Sequence, residues 1–253
     1  MMKLIALGSG GGTPSKSRHT ASYLIDTGES IVILDAGSGL ARLGDYSTML
    51  KKYEEVNIIL SHYHLDHIIG ISYLSNWNQA IKKLNIYGPG KDLGFETCRK
   101  TLSDIFTPPY YVDLDKVLNE VNMLDYNLQG FKIGNMKISI NEQVHSGRSF
   151  GVTVGNYIHY ATDTAILEET FALAQNVKLL LHDCWDKINI DSKDHSSFEQ
   201  IKLMLNKYRI QKVGLIHIHP IWKDVDFKEL MISLVNNQNI EFVDDKWVVE
   251  LSD

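Results

Sequence analysis

The chain alternates short runs rich in Ile, Val, Leu or Tyr with stretches of helical pattern, and this alternation confines it to an α/β class. Strands are expected at Lys3–Leu7, Ala21–Asp26, Ser30–Asp35, Val56–Leu60, Leu84–Tyr87, Phe131–Glu142, Gly151–Val154, Tyr157–Ala161, Val177–Leu181, Lys212–Ile216 and Glu241–Val249. Helices are expected at Leu40–Tyr53, Ile69–Lys82, Leu93–Ile105, Ala165–Gln175, Ser197–Tyr208 and Phe227–Asn236. The helix after Ser196 has Glu199 three residues on, a capping-box spacing. A second strand-rich half begins near Phe131 and indicates mixed sheets. Thr107–Gln129 is the least regular segment and reads as a loop, a lid or a dimer contact. No Pro-, Gly- and Ser-rich linker divides the 253 residues, so one domain is expected over 1–253.

Composition excludes several classes of function. Hydrophobic residues make up 44% and charged residues 22%, too apolar for a disordered chain. The formal charge of −6 supplies no global basic field of the kind that a typical nucleic-acid binder uses. Two cysteines, Cys98 and Cys184, cannot build a disulfide framework and suit a reducing compartment. No run reaches the roughly 18 apolar residues of a membrane span. The expectation is a soluble, cytoplasmic protein without a membrane partner.

Histidine is the unusual stock, with ten in the chain. The run Val56-Asn57-Ile58-Ile59-Leu60 stops at Ser61 and is followed by His62, His64, Asp66 and His67. A buried strand ending here places these groups at its carboxyl end, where α/β sheets carry their ligands. A solvated loop would account for one histidine, but not for four metal-binding groups so close together. His62 and His64 can converge in an extended segment, whereas the adjacent Asp66 and His67 point apart. Two neighbouring cations therefore fit better than one, with zinc favoured and iron or manganese also suited. Gly8, Gly10, Gly11 and Gly12 do not make a nucleotide-binding loop. Thr13 replaces the third glycine of G-x-G-x-x-G, and Ser15 stands before Lys16 where a Walker motif needs glycine.

His62-Tyr63-His64-Leu65-Asp66-His67 resembles the H-x-H-x-D-H signature of the metallo-β-lactamase superfamily. The resemblance spans nearly the whole chain. Leu7-Gly8-Ser9-Gly10 with Asp35-Ala36-Gly37 is similar to the family's opening strand and D-x-G turn. Gln143-Val144-His145, Thr162-Asp163 and Ile216-His217 follow in the family's order, each behind an apolar strand. The implied fold is a four-layer αβ/βα sandwich with two mixed β-sheets. The implied cofactors are two divalent metal ions, zinc favoured. His62, His64 and His145 would hold one; Asp66, His67 and His217 would hold the other, with Asp163 bridging. Two cations about 3.5–4 Å apart can share and activate a hydroxide. His219 rivals His217, since both lie on one face of a strand; His217 is preferred because it follows directly on the apolar run. His159 reads as packing.

Three further features resemble, or depart from, the ribonuclease Z branch. Pro14-Ser15-Lys16-Ser17-Arg18-His19 is similar to its P-x-K-x-R-N loop, with His19 at the last position; Lys16, Arg18 and His19 are the implied substrate-binding residues. His182-Asp183 followed by Asp194-His195 is similar to its H-E-A-T motif and downstream histidine. This implies His195 as a general acid oriented by Asp183, with Asp66 helping to position the attacking water. Only Ser146–Thr162 separates His145 from Asp163, which leaves no room for the tRNA-gripping arm. The expected activity is hydrolysis of a phosphodiester in a small or nucleotide-type substrate. Alternatives are hydrolysis of a carboxylic ester or lactone at the same site, tRNA 3′ processing, and a non-catalytic binding role. A homodimer is expected only because relatives in that family are often dimeric.

Overall fold

The computed structural model describes residues 1–77, 79–188, 191–232 and 239–252. It contains two seven-stranded mixed sheets. The first is ordered β14-β1-β2-β3-β4-β5-β6, with β1 at Met2–Gly8, β2 at Ser22–Asp26, β3 at Ile31–Leu34, β4 at Glu55–Ile59, β5 at Lys83–Pro89, β6 at Val121–Tyr126 and β14 at Val248–Leu251. The second is ordered β13-β12-β11-β10-β9-β8-β7, with β7 at Phe131–Ile133, β8 at Met136–Glu142, β9 at Phe150–Val154, β10 at Ile158–Ala161, β11 at Leu179–Asp183, β12 at Val213–Ile216 and β13 at Ile240–Phe242. Each sheet is antiparallel on one side and parallel on the other. The parallel side of the first begins at β3–β4 and that of the second at β10–β11.

Three buried clusters define the layers. Leu4, Tyr23, Val32, Phe150, Val152 and Leu181 fill the space between the sheets. The outer face of the first sheet is covered by 3-10 turns at Ser38–Tyr46 and Ile69–Trp77, short helices α1 (Ser47–Leu50) and α2 (Leu65–Ile68), and α3 (Cys98–Ile105). The outer face of the second packs under α4 (Glu168–Ala174), α5 (Phe198–Lys207) and α6 (Asp224–Ile232). This is the four-layer αβ/βα sandwich expected from the sequence. Fully buried strands such as β3 and β12 read as continuous apolar runs because both faces are covered.

Several boundaries differ from the sequence reading. Phe131–Glu142 is a hairpin, broken at Gly134 with φ +55, where only a residue without Cβ turns at no steric cost. Glu241–Val249 is two strands in different sheets, since Asp244-Asp245-Lys246 turns the chain with Lys246 at φ +70. The second half of Thr107–Gln129 is not loop; β6 pairs with β5 as an edge strand. Leu40–Tyr53 and Ile69–Lys82 are mostly 3-10 rather than α. The capping box sits one residue later than expected: Ser197 caps α5 and Gln200 completes the reciprocal bond. The end of the expected helix Phe227–Asn236 lies outside the described residues.

Candidate metal centre

Neighbouring parallel strands in each sheet end at one edge and deliver the cluster. β4 ends at Ile59 and releases the His62–His67 segment; α2 then turns His67 inward beneath Asp66. From the other sheet come Asp163 after β10, Asp183 at the end of β11 and His217 after β12, with His145 following β8.

The residues divide into two facing sets. His62, His64, His145 and Asp163 can each place a ligand atom within 4.8 Å of the others; Asp66, His67 and His217 form a second such group. Asp163 addresses both. Its Oδ2 lies 3.6 Å from His62 Nε2 and 3.8 Å from His145 Nε2, while Oδ1 lies 3.1 Å from His67 Nε2 and 3.0 Å from His217 Nε2. One carboxylate with an oxygen toward each set is the geometry a bridging ligand requires. Of the two rival histidines, His217 joins the cluster, whereas His219 lies edge-on against Trp185.

The outward nitrogens support this division. His67 Nδ1 donates to Asp35 Oδ2 at 2.7 Å, and His145 Nδ1 donates to the Asp194 carbonyl at 3.1 Å. With Nδ1 carrying the proton, each ring presents its Nε2 lone pair inward, the tautomer a cation needs. His62 Nδ1 contacts Ser61 Oγ at 3.0 Å, and its buried Nε2 has no hydrogen-bond partner. His67 Nε2 and His217 Nε2 are 3.3 Å apart, as are His145 Nε2 and His64 Nδ1. A donor set of imidazoles and carboxylates with lone pairs converging in this way could hold metal.

Electrostatics points the same way. Burial lowers the His62 pKa well below its ordinary value, and His67 beside it adds to the effect, so this ring stays neutral and able to ligate. For His67 burial acts in the same direction, but Asp163, Asp66 and Asp35 override it and the pKa is raised. His217 is likewise carried to about 10 against burial, chiefly by Asp163 and by Asp183. The carboxylate field that raises the pKa of His67 and His217 also favours a divalent cation.

Around these residues stand groups the sequence reading did not assign. Asp35 ends the turn after β3 and accepts four bonds: from Ser61 N at 2.6 Å, Ser61 Oγ at 2.8 Å, Tyr160 Oη at 2.6 Å and His67 Nδ1. The D-x-G spacing was its only signal. Asp194 holds the His145 loop through Ser146 N at 2.8 Å as well as through its carbonyl. Gly12 N donates to Asp66 Oδ2 at 2.8 Å, so the glycine stretch orients a ligand rather than a nucleotide.

The expected acid pair is assembled. His195 Nδ1 donates to Asp183 Oδ2 at 2.8 Å, and His195 can place a nitrogen within 4.8 Å of ligand atoms of Asp163 and His217. The shorter aspartate therefore reaches. Burial lowers the His195 pKa, but the bond and charge of Asp183 outweigh it and the net shift is upward. The phosphate-gripping role expected for Arg18 is not supported by its placement. Its side chain is 7% exposed, with the guanidinium held at 2.5 Å by Asp244 and laid over Phe227 at 4.8 Å, so its charge is already paired. Lys16 is exposed on the same loop, and His19 Nδ1 meets Ser38 Oγ at 3.2 Å. His159 is fully buried and bonded to Thr153 at 2.8 Å, a packing residue as expected. The interval between His145 and Asp163 is filled by β9, a turn at Gly155 and β10, and no arm projects from it.

Comparison with known proteins agrees with this architecture. The family model described as Anti-Pycsar protein Apyc1 matches residues 2–241. A ribonuclease Z from Thermococcus sibiricus is 23% identical over 273 residues, covering 88% of this chain and 88% of that protein. Among solved structures, the metallo-β-lactamase fold protein YhfI from Bacillus subtilis superposes with a TM-score of 0.77 at 19% identity, covering 98% of each chain. A diphosphatase from the PhnP family gives 0.76 at 17% identity, covering 100% of this chain and 98% of that one. The fold is that of the metallo-β-lactamases, in the ribonuclease Z-like branch.

Proposed function

The chain belongs to the Anti-Pycsar protein Apyc1 family, and on that premise we propose that it is a dinuclear metal-dependent phosphodiesterase acting on a small or nucleotide-type substrate. His62, His64 and His145 would hold one cation and Asp66, His67 and His217 the other, with Asp163 placed to serve both. When bound, the two cations supply a nucleophile from water at neutral pH and offset charge on the phosphoryl oxygens.

This chain's own residues do the rest. Asp66 and Asp163 supply the negative charge between the facing histidines. His195 stands at the edge of the cluster with its Nδ1 on Asp183, so its Nε2 is the nitrogen that can hand a proton to a departing alkoxide. Asp183 keeps that ring oriented and favours its charged form. The observation that carries the reading is this acid beside a two-part ligand set. Ester and lactone hydrolysis at such a centre has less need of it, because the oxyanion of the tetrahedral intermediate itself helps to expel the alkoxide. The similarity to ribonuclease Z and to a PhnP-family diphosphatase supports phosphorus as the electrophile. The interval without an arm supports a substrate smaller than tRNA.

The test is a screen of zinc- and manganese-loaded protein against bis-aryl phosphodiester, cyclic nucleotide, lactone, β-lactam and precursor tRNA substrates. A cyclic nucleotide, with its poor alkoxide leaving group, should lose about 10²–10⁴-fold in kcat on His195→Ala. The bis-aryl ester, whose phenolate leaves unaided, should lose far less. Efficient lactone turnover with no phosphodiester turnover would overturn the reading, and release of a mature tRNA 3′ end would replace the small substrate by a large one.

A further inference from the structure

Trp185 lies two residues beyond the end of β11, and nothing in the histidine pattern singles it out. Its indole lies nearly parallel to two imidazoles at once, 4.7 Å and 17° from His195 and 5.2 Å and 27° from His217. Those two rings are 5.3 Å apart and 16° from parallel, so the indole spans both. The backbone of Trp185 is pinned: its N–H donates to the Ser196 carbonyl at 3.0 Å, and its carbonyl accepts from Trp222 Nε1 at 3.0 Å. The glycine stretch closes on the same rings. A Cβ on Gly11 would stand 2.4 Å from His217 Cε1, and one on Gly12 would stand 3.0 Å from the Trp185 ring.

His217 has more need of such a wall than His67 or His145. Its backbone sits at φ +53, a left-handed conformation uncommon among non-glycine residues. His67 is anchored to Asp35 at 2.7 Å and His145 to a carbonyl at 3.1 Å. His217 Nδ1 faces Asp183 Oδ1 at 3.7 Å, a longer and looser contact than either of those bonds. A ligand imidazole without a close bond at its outer nitrogen can rotate about χ2 unless packing stops it.

We propose that Trp185 is a positioning residue: its indole fixes the His217 imidazole for cation capture in the Asp66–His67–His217 half of the site and holds His195 in register with it. The cation-capture part rests on the dinuclear reading above, whereas the ring packing does not. Trp185 thereby does for His217, through a π face, what Asp35 does for His67 through a hydrogen bond.

The test compares wild type, Trp185→Phe, which keeps a stacking ring, and Trp185→Leu, which fills space without one. In metal-free protein labelled at the histidine rings, Trp185→Leu should move and broaden the ring resonances of His195 and His217 and leave those of His62 in place. Zinc titration followed by metal analysis should show the second cation bound about 10–100-fold more weakly in Trp185→Leu, with the first unchanged and Trp185→Phe near wild type. Unmoved His217 resonances, or a second cation bound with wild-type affinity in Trp185→Leu, would overturn the proposal. A wild type that takes up no zinc overturns the dinuclear reading instead, and the histidine spectra then still decide whether Trp185 sets the ring.

Discussion

Acidification should destabilise this chain through a histidine that lies outside the metal centre. His159 projects from β10 to the outer face of the second sheet, fully buried, with Nδ1 on Thr153 Oγ1 at 2.8 Å and Nε2 unpartnered. Burial, reinforced by His182, drives its pKa from 6.5 down to about 3. The folded state therefore refuses a proton that the unfolded chain accepts. Stability is complete above about pH 6.5 and drains away as pH falls toward 3, because protonation there favours the unfolded chain. At 1.36 kcal/mol per pH unit, the loss from this one residue reaches about 2 kcal/mol by about pH 5. His159→Asn keeps a polar atom toward Thr153 and removes the titration. Urea unfolding of metal-free protein at about pH 7.5 and pH 5 should show wild type losing about 2 kcal/mol more than the variant between the two conditions. Histidines of the metal site titrate in both proteins and cancel in that difference. Equal losses in wild type and variant would refute the reasoning.

Two substitutions probe the scaffold of the centre. Asp35→Asn withdraws the charge that orients His67 and leaves one accepting oxygen for the donors Ser61 N, Ser61 Oγ, Tyr160 Oη and His67 Nδ1. Zinc titration should show about 10–100-fold weaker binding in that half, and thermal unfolding should show a loss of about 1–3 kcal/mol. Gly11→Ala puts a methyl 2.4 Å from the His217 ring, so the ring must shift. Hydrolysis of a generic phosphodiester should fall by about 10²-fold while the unfolding midpoint moves little, and unchanged turnover would show that the ring has room to yield.

What the sequence disclosed follows from how strongly each feature is written into local pattern. The segment from His62 to His67 is legible because ligands of one site lie consecutively after an apolar strand. Their partners in the second sheet are legible only as isolated residues at strand ends, and the family order joined them. Asp35, Trp185 and Asp194 were not assigned because each acts by geometry. Asp35 reaches His67 across the β3–β4 pairing, Trp185 covers two rings from the end of β11, and Asp194 uses a carbonyl that every residue possesses. Arg18 illustrates the converse. Its motif position suggests a phosphate, but Asp244, distant in sequence, arrives at the same place and claims the charge.

Backbone conformation explains why the strand ends, rather than the strands, carry the chemistry. Asp35, Asp163 and His217 are three non-glycine residues with φ of +56, +46 and +53, and all three stand at or just beyond the carboxyl end of a buried strand. Left-handed φ costs such residues of order 1 kcal/mol or more, so the conformation persists only where surrounding contacts impose it. The return is direction: a left-handed turn at the strand end redirects the side chain of the last residue. In Asp163 it points one oxygen at each histidine set; in Asp35 it places both oxygens under the His62–His67 segment. In His217 it presents Nε2 to Asp66 and Asp163 and gives the ring face to Trp185. Glycine would adopt the same φ without strain but would bring no ligand, so the strain is the necessary accompaniment of placing a side chain there.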